Sequence, residues 1–302
     1  AVTSPPSSDV ERVLARLRPG ADGALVGHRA GWALASHFQP IFSLSHGRVV
    51  GHEALLRPTD ALGAPVAPPR FFDIVADAEP GFAELLWRDR LVRSLHVANY
   101  CRHAPQAQWL FLNLHPQVFL RAPQCDGDGF EARLLAHHGL RGPQVVIEVL
   151  EDAVRDDADF AVAVALARDR GCLIALDDFG AGHSNFDRVW RLRPEIVKLD
   201  RSLVARAALE PGARRVVVQM VSLLHECGAL VLMEGVETKA EAMVALEADA
   251  DMVQGWYFAR PQAAPVPDGH ARERLAALWN GFGERWRDEQ AAYRERIAPY
   301  VN

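Results

Sequence analysis

Eight apolar, strand-like segments, alternating with helical ones from the third onward, predict an α/β fold. Strands that alternate with helices at this spacing lie parallel. Eight such units in about 230 residues fit a TIM-like (β/α)8 barrel better than an open sheet. The opening pair of strands reads as a hairpin, out of pattern with the rest, so the barrel is expected to be irregular at its start.

Residues 1–6 are rich in Pro and Ser. Asp9 can cap a short helix running to about Arg18, with Val10, Leu14 and Leu17 on one face. Residues 20–27 read as a loop. The segment 36–42 is a strand candidate that Pro40 assigns to an edge or an irregular position, and Val49–Leu56 pairs with it across Ser45-His46-Gly47. Helices are expected over Pro68–Ala76 and Phe82–Cys101. A strand follows at Trp109–Leu114, then short helical pieces over Pro116–His138. Val145–Leu150 is a strand, Asp156–Arg170 a helix, and Cys172–Asp178 the central strand. After the strand Ile196–Asp200, the helix Pro211–Cys227 has Pro at its first turn and Gly228 as its stop. Ala229–Met233, a helix at Lys239–Glu247 and a last strand at Met252–Phe258 complete the series. Beyond a Pro-rich break at 261–269, Leu275, Leu278, Trp279, Phe282 and Trp286 recur at helical spacing, with Ile297 further on. That tail is expected to pack on the barrel or on a second subunit, or to connect to a further domain. The chain thus divides into an N-terminal extension with a short helix (1–30), a barrel domain (31–265) and an amphipathic helical tail (266–302).

At 302 residues the chain can bury a sizeable core, and 49% hydrophobic with 24% charged residues is globular usage. A net charge of −6 argues against binding a nucleic acid polymer. The four cysteines, Cys101, Cys125, Cys172 and Cys227, are scattered, which suggests neither disulfides nor a zinc site and fits a reducing compartment. No apolar run reaches the length of a membrane span, and no signal peptide is visible. A chain that starts at Ala1 reads as a processed or excised piece, so a membrane or sensor segment could precede it.

The chemistry gathers at the strand ends. Cys172–Leu176 runs into the adjacent acids Asp177 and Asp178 and a glycine-rich turn. Neighbouring residues on a strand point to opposite faces, so this pair can act together only where the strand is ending and free to twist. The other segments end on Glu53, Asn113, Glu148, Lys198 with Asp200, Glu234 and Gln254. In a barrel these meet on one rim, where active sites form. Acids so crowded raise one another's pKa unless cations intervene. An all-oxygen set favours Mg2+ or Mn2+ over zinc, and two such ions clamp an in-line displacement at phosphorus.

Taken in order, Gln39-Pro-Ile41, Glu53-Ala-Leu-Leu-Arg57, Asn113, Glu148-x-x-Glu151, Asp177-Asp-Phe-Gly-Ala-Gly182, Lys198-Leu-Asp200, Glu234-Gly-Val-Glu237 and Gln254-Gly255 resemble the EAL-domain phosphodiesterases from about Phe38 to Pro261. The resemblance implies an EAL-type barrel that hydrolyses cyclic di-GMP to linear pGpG with Mg2+ or Mn2+, as a homodimer in the bacterial cytoplasm. By the same resemblance Glu53, Asn113, Glu148 and Asp177 are ligands of one metal, with Asp177 bridging. Asp178 is a ligand of the second, and Glu234 joins the metal–water network. Lys198 corresponds to the lysine that holds the nucleophilic water, and Gln254 to a glutamine supporting the site. Gln39, Leu55, Arg57, Asp200 and Gln254 fall at substrate-contacting positions, while Glu151 and Glu237 match glutamates that brace the loop after Asp178.

The chain departs from the family pattern at Pro58, Leu150, Ala181, His183 and Trp256. None of these removes a ligand. They bear on loop ordering, dimer coupling and turnover, and they leave two alternatives to the enzyme: a receptor that binds the dinucleotide without cleaving it, and an interaction module that has lost the nucleotide altogether.

Overall fold

Helix α1 (Asp9–Leu14) ends sooner than its apolar spacing suggests. Arg18 precedes Pro19, whose ring pushes it out of the helical region, and Leu17–Pro19 forms strand β1 instead. Its antiparallel partner is β2 (Leu25–Arg29), with Leu17 opposite Gly27. The expected loop at 20–27 is therefore partly strand. The structure, a computed structural model, describes residues 9–21, 23–73, 79–103, 108–125, 129–151, 154, 158–182, 186–265 and 273–280.

β3 (Trp32–Ser43) and β4 (Arg48–Thr59) form the long hairpin. After α2 (Pro68–Phe72) and α3 (Glu79–Cys101) the alternation begins with β5 (Trp109–Asn113), α4 (Pro116–Cys125) and α5 (Phe130–His138). It continues through β6 (Val145–Leu150), α6 (Ala158–Asp169), β7 (Leu173–Phe179), α7 (Phe186–Leu192) and β8 (Ile196–Leu199). α8 (Arg201–Leu209), α9 (Pro211–Glu226), β9 (Leu230–Met233), α10 (Lys239–Glu247) and β10 (Met252–Val253) follow.

The sheet closes on itself. Its order is β3-β10-β9-β8-β7-β6-β5-β4, and β4 returns to β3. β4 to β10 are parallel neighbours, whereas β3 is antiparallel to both β4 and β10. The result is an eight-stranded barrel with one reversed strand, and β1 and β2 extend β3 outside it.

Pro40 sits within this closed sheet, not on an edge. Phe38, two residues earlier, gives its amide to Gln262 at 2.7 Å, so the Pro40 nitrogen faces the same side, past the end of the short β10. A residue without an N–H leaves no ladder bond unmade there.

Two helices, α7 and α8, went unread in the sequence. Asp200 starts α8 by accepting from the Ser202 amide at 2.9 Å. The last strand is much shorter than expected: β10 stops at Val253 because the chain folds onto the segment after β9. The Gln254 carbonyl accepts from Val236 at 3.0 Å, and the Tyr257 amide reaches the Val236 carbonyl at 2.9 Å. Gly255 makes this approach possible, since a Cβ there would lie 2.0 Å from the Val236 oxygen.

One buried apolar residue from seven of the barrel strands fills the interior: Ile41, Phe111, Val146, Ala175, Ile196, Leu232 and Met252. β4 has Gly51 at that level, where a Cβ would meet the Trp109 carbonyl at 2.9 Å and the Phe111 ring at 3.1 Å. A larger core joins the outer barrel face to the helices. Residues 273–280 form a helical turn pair that buries Leu275 and Leu278 in that core, and Trp279 donates to the Leu44 carbonyl at 2.8 Å. Phe282, Trp286 and Ile297 lie outside the described residues. Among the described residues no helix is long and apolar enough to cross a membrane, and Cys101, Cys172 and Cys227 are free thiols.

Candidate metal centre

Side chains two apart on a strand share a face. Two places beyond each plug residue the barrel therefore points a polar group at one end of its interior. Asn113 follows Phe111, Glu148 follows Val146, Asp177 follows Ala175, and Lys198 follows Ile196. Glu234 follows Leu232 and Gln254 follows Met252. On reversed β3 the order inverts, and Gln39 precedes Ile41. Glu53, two beyond Gly51, lies in mid-strand rather than at a strand end, because β4 runs on into the hairpin. Its pairing with β5 covers only Gly51–Ala54.

Lys198 occupies the centre and is 1% exposed. Its Nζ lies 2.8 Å from Asp177 Oδ1, 2.8 Å from Glu234 Oε1, and against Glu148 Oε1. Glu53 receives Asn113 Nδ2 at 3.2 Å on one oxygen and Gln254 Nε2 at 2.9 Å on the other. Glu148 Oε1 meets the Lys198 ammonium, whereas its Oε2 has no hydrogen-bond partner among the described residues and retains room for a further positive group.

Asp177 and Asp178 do come together, but not because the strand ends. β7 continues to Phe179, and its ladder with β8 slips register between Leu176 and Phe179. Asp178 takes φ +58°, a left-handed geometry that aspartate tolerates better than most residues. This bulge turns Asp178 towards its neighbour. One ligand oxygen each from Asp177, Asp178 and Glu234 lies within 4.8 Å of the others.

The electrostatics are those of a crowded anionic site. Burial raises the Glu148 carboxyl well above its usual range, and Glu53 and Asp177 add to it against the opposing pull of Lys198. Burial, with Asp177 and Glu53, pushes Glu234 up to about 8, again opposed by Lys198. Asp178 is raised by burial and then by Asp177. Burial works against the Lys198 ammonium, yet the surrounding carboxylates together hold its pKa above the ordinary lysine value. Five carboxylates facing one ammonium leave an excess of four negative charges when all are ionised, the charge of two divalent cations. The oxygen donors suit Mg2+ or Mn2+. The residues fit such ions.

Beside this centre opens a cleft of about 690 Å3 lined by Leu55, Arg57, Phe72, His115 and Leu150 among others, with Glu53 and Asn113 at its metal end. Burial lowers the Arg57 pKa, partly offset by Glu53. Gln39 donates to the Ala259 carbonyl at 3.4 Å. Asp200, an expected substrate contact, is engaged as the cap of α8. Glu151 accepts from the Gly180 amide at 3.4 Å and pairs with Arg188 at 3.1 Å, so it reaches the loop after Asp178. Glu237 instead meets Arg201 on α8 at 3.1 Å. Ala181 is exposed, and His183 lies outside the described residues.

Asp89 and His115 escaped the sequence reading. Asp89 is 2% exposed on α3, takes the His115 amide at 3.2 Å and is held by Arg93 Nε at 2.7 Å. A run of charges inside an otherwise apolar helix, Arg88-Asp89-Arg90 with Arg93, was the available signal.

The profile of the EAL domain matches residues 28–261. The cyclic di-GMP phosphodiesterase RocR of Pseudomonas aeruginosa is 29% identical over 238 residues, covering 78% of this chain and 58% of RocR. The structure resembles Klebsiella pneumoniae BlrP1 in its manganese and cyclic di-GMP complex at pH 6, with TM-score 0.66 and 26% identity over 84% of this chain and 60% of that one. It also shares its fold with the Bacillus subtilis YkuI protein, solved with cyclic di-GMP and calcium, at TM-score 0.72 and 23% identity, covering 87% and 63% of the two chains. The chain spans 33%, 58% and 28% of the lengths of three curated relatives that it matches.

Proposed function

The chain belongs to the EAL-domain family, and from that premise we propose that it is a metal-dependent phosphodiesterase opening cyclic di-GMP to linear pGpG. The observation that carries the reading is the cluster of Asp177, Asp178 and Glu234 around a fully buried Lys198. On this reading Glu53, Asn113, Glu148 and Asp177 hold one cation. Asp178 with Asp177 would hold a second, and Glu234 would complete the set.

Cations bound there supply Lewis acidity and a water of lowered pKa. The remaining work belongs to the chain. Lys198, fixed by three carboxylates, presents a rigid ammonium that holds the attacking water. Gln254 keeps Glu53 oriented through its 2.9 Å bond. Arg57 offers its planar fork to a phosphate from the cleft wall, with Leu55, Gln39 and Asp200 at further substrate positions. Glu151, through Gly180 and Arg188, steadies the loop that carries Asp178; Glu237 supports the same rim through Arg201.

We read the barrel domain as 31–265, flanked by an extension (1–30) and a tail (266–302). We further read the protein as a homodimer, supported by Trp190, which is 63% exposed on α7 next to the loop after β7. A bacterial second messenger as substrate puts the domain in the cytoplasm.

Chromatography after incubation with cyclic di-GMP and Mn2+, beside an Asp177→Asn control, tests the reading. Linear pGpG from the wild type alone is expected. Binding without product would make the protein a receptor instead.

A further inference from the structure

We propose that His115 is a specificity-determining residue of the cleft, donating a hydrogen bond from Nε2 to the acceptor edge of a guanine base of the bound dinucleotide. The inference rests on the cyclic di-GMP reading above and assigns to one side chain the choice of base.

The backbone of His115 is held from both sides. Its N–H donates to the buried Asp89 carboxylate at 3.2 Å, and its carbonyl accepts from Phe119 at 2.9 Å as α4 begins. Asp89 is itself fixed by Arg93, which also pairs with Glu131 on α5. The ring is held as well. Nδ1 accepts the Gln117 amide at 3.3 Å, so the proton of the neutral imidazole resides on Nε2. That N–H has no hydrogen-bond partner among the described residues, although His115 lines the cleft.

Its surroundings select the kind of atom it meets. The Phe72 ring lies 5.8 Å away at 40°, and Pro68, Pro69 and Leu55 continue an apolar wall. This apolar wall suits a purine face better than a phosphate, whose natural partners, Arg57 and the metal cluster, lie towards Glu53, while Arg70 and Asp73 also line the cleft. Guanine presents O6 and N7, two acceptors side by side, whereas adenine replaces O6 with an amino donor. Both purines accept at N7, so a fixed N–H donor favours guanine and opposes adenine where it is directed at position 6, meeting O6 in one and an amino donor in the other. Two residues upstream Asn113 holds Glu53, so the base-reading group and the metal rim share one short loop.

His115 also caps α4, and the test separates the two roles. The full chain is titrated calorimetrically in Ca2+ with cyclic di-GMP and with cyclic di-AMP, using wild type, His115→Asn and His115→Ala. Asparagine caps a helix well but is too short to reach as the imidazole does. Both variants are expected to lose about tenfold in affinity for cyclic di-GMP and little for cyclic di-AMP, so that discrimination shrinks by about the same factor. His115→Asn should keep the wild-type thermal midpoint, and in Mn2+ its KM should rise with kcat unchanged. Wild-type affinity and discrimination in His115→Asn would overturn the inference and leave only the cap. Failure of the wild type to bind cyclic di-GMP would overturn the cyclic di-GMP reading first, and this inference with it.

Discussion

Lys198 and Asp177 form a 2.8 Å ion pair in which the lysine is sealed from solvent. A buried charge is tolerated only with its partners, and here the partners outnumber it. Lys198→Met should leave the carboxylates facing one another with nothing between them. We expect the metal-free variant to lose about 3–5 kcal/mol of stability, with Mn2+ restoring much of it. Turnover should fall about a thousandfold even with metal present, because the water loses its holder. Chemical denaturation with and without Mn2+, and a product assay, check both parts.

Glu234 predicts how the metal-free protein responds to pH. Its folded pKa of about 8 lies above its unfolded value of 4.5. A raised acid contributes stability that is full below about pH 4.5 and is lost as pH rises through 8. In that window the loss is at most about 1.4 kcal/mol per pH unit. Melting in chelator should show a falling midpoint from pH 5 to 8, flattened by Glu234→Gln. Mn2+ binding at pH 7 should release protons, and its affinity should rise with pH. Calorimetry in buffers of different ionisation enthalpy measures the release.

His96 acts in the opposite direction. It is buried on α3, bonded to Ser36 Oγ at 2.8 Å, and burial followed by the Arg57 charge lowers its pKa to about 3. Below its unfolded pKa of 6.5 the unfolded chain takes up a proton that the folded chain refuses. Its contribution is present above pH 6.5 and is lost as pH falls towards 3. Because the two slopes oppose each other between pH 4.5 and 6.5, each is read as a difference from its own variant. The stability difference between wild type and His96→Asn should shrink on acidification below pH 6.5, at up to about 1.4 kcal/mol per unit.

Glu151 accepts from the Gly180 amide and is held by Arg188. Glu151→Ala should loosen the turn after Asp178 without touching a ligand. Half-maximal activation is expected at about tenfold higher Mn2+, with the thermal midpoint less affected than the metal affinity. A Mn2+ titration of turnover at saturating cyclic di-GMP measures it.

The barrel and most of its rim could be read from residue types because both follow one rule, the alternation of side chains along a strand. An apolar residue followed two places later by Asn113, Glu148, Lys198, Glu234 or Gln254 is visible in a single line of sequence. What could not be read depended on contacts between distant segments. The early end of β10 depends on Val236 and the close approach of Gly255. The meeting of Asp177 with Asp178 depends on a slip between β7 and β8, not on a strand end. Asp200 reads as an acid at a strand end, yet caps a helix that apolar spacing did not announce. Asp89 and His115 meet across 26 residues, beyond the reach of any local pattern.

The apolar plug formed by Ile41, Phe111, Val146, Ala175, Ile196, Leu232 and Met252 fills the barrel beneath the polar rim, so among the described residues the centre opens towards the cleft on the rim side. On the phosphodiesterase reading, substrate would arrive and product depart on that one side. A cut dinucleotide that lingers at the rim shuts out its successor, so the slow act in each cycle can be departure as easily as bond breaking. On the phosphodiesterase reading proposed above, linear product would then compete with fresh substrate for the same rim.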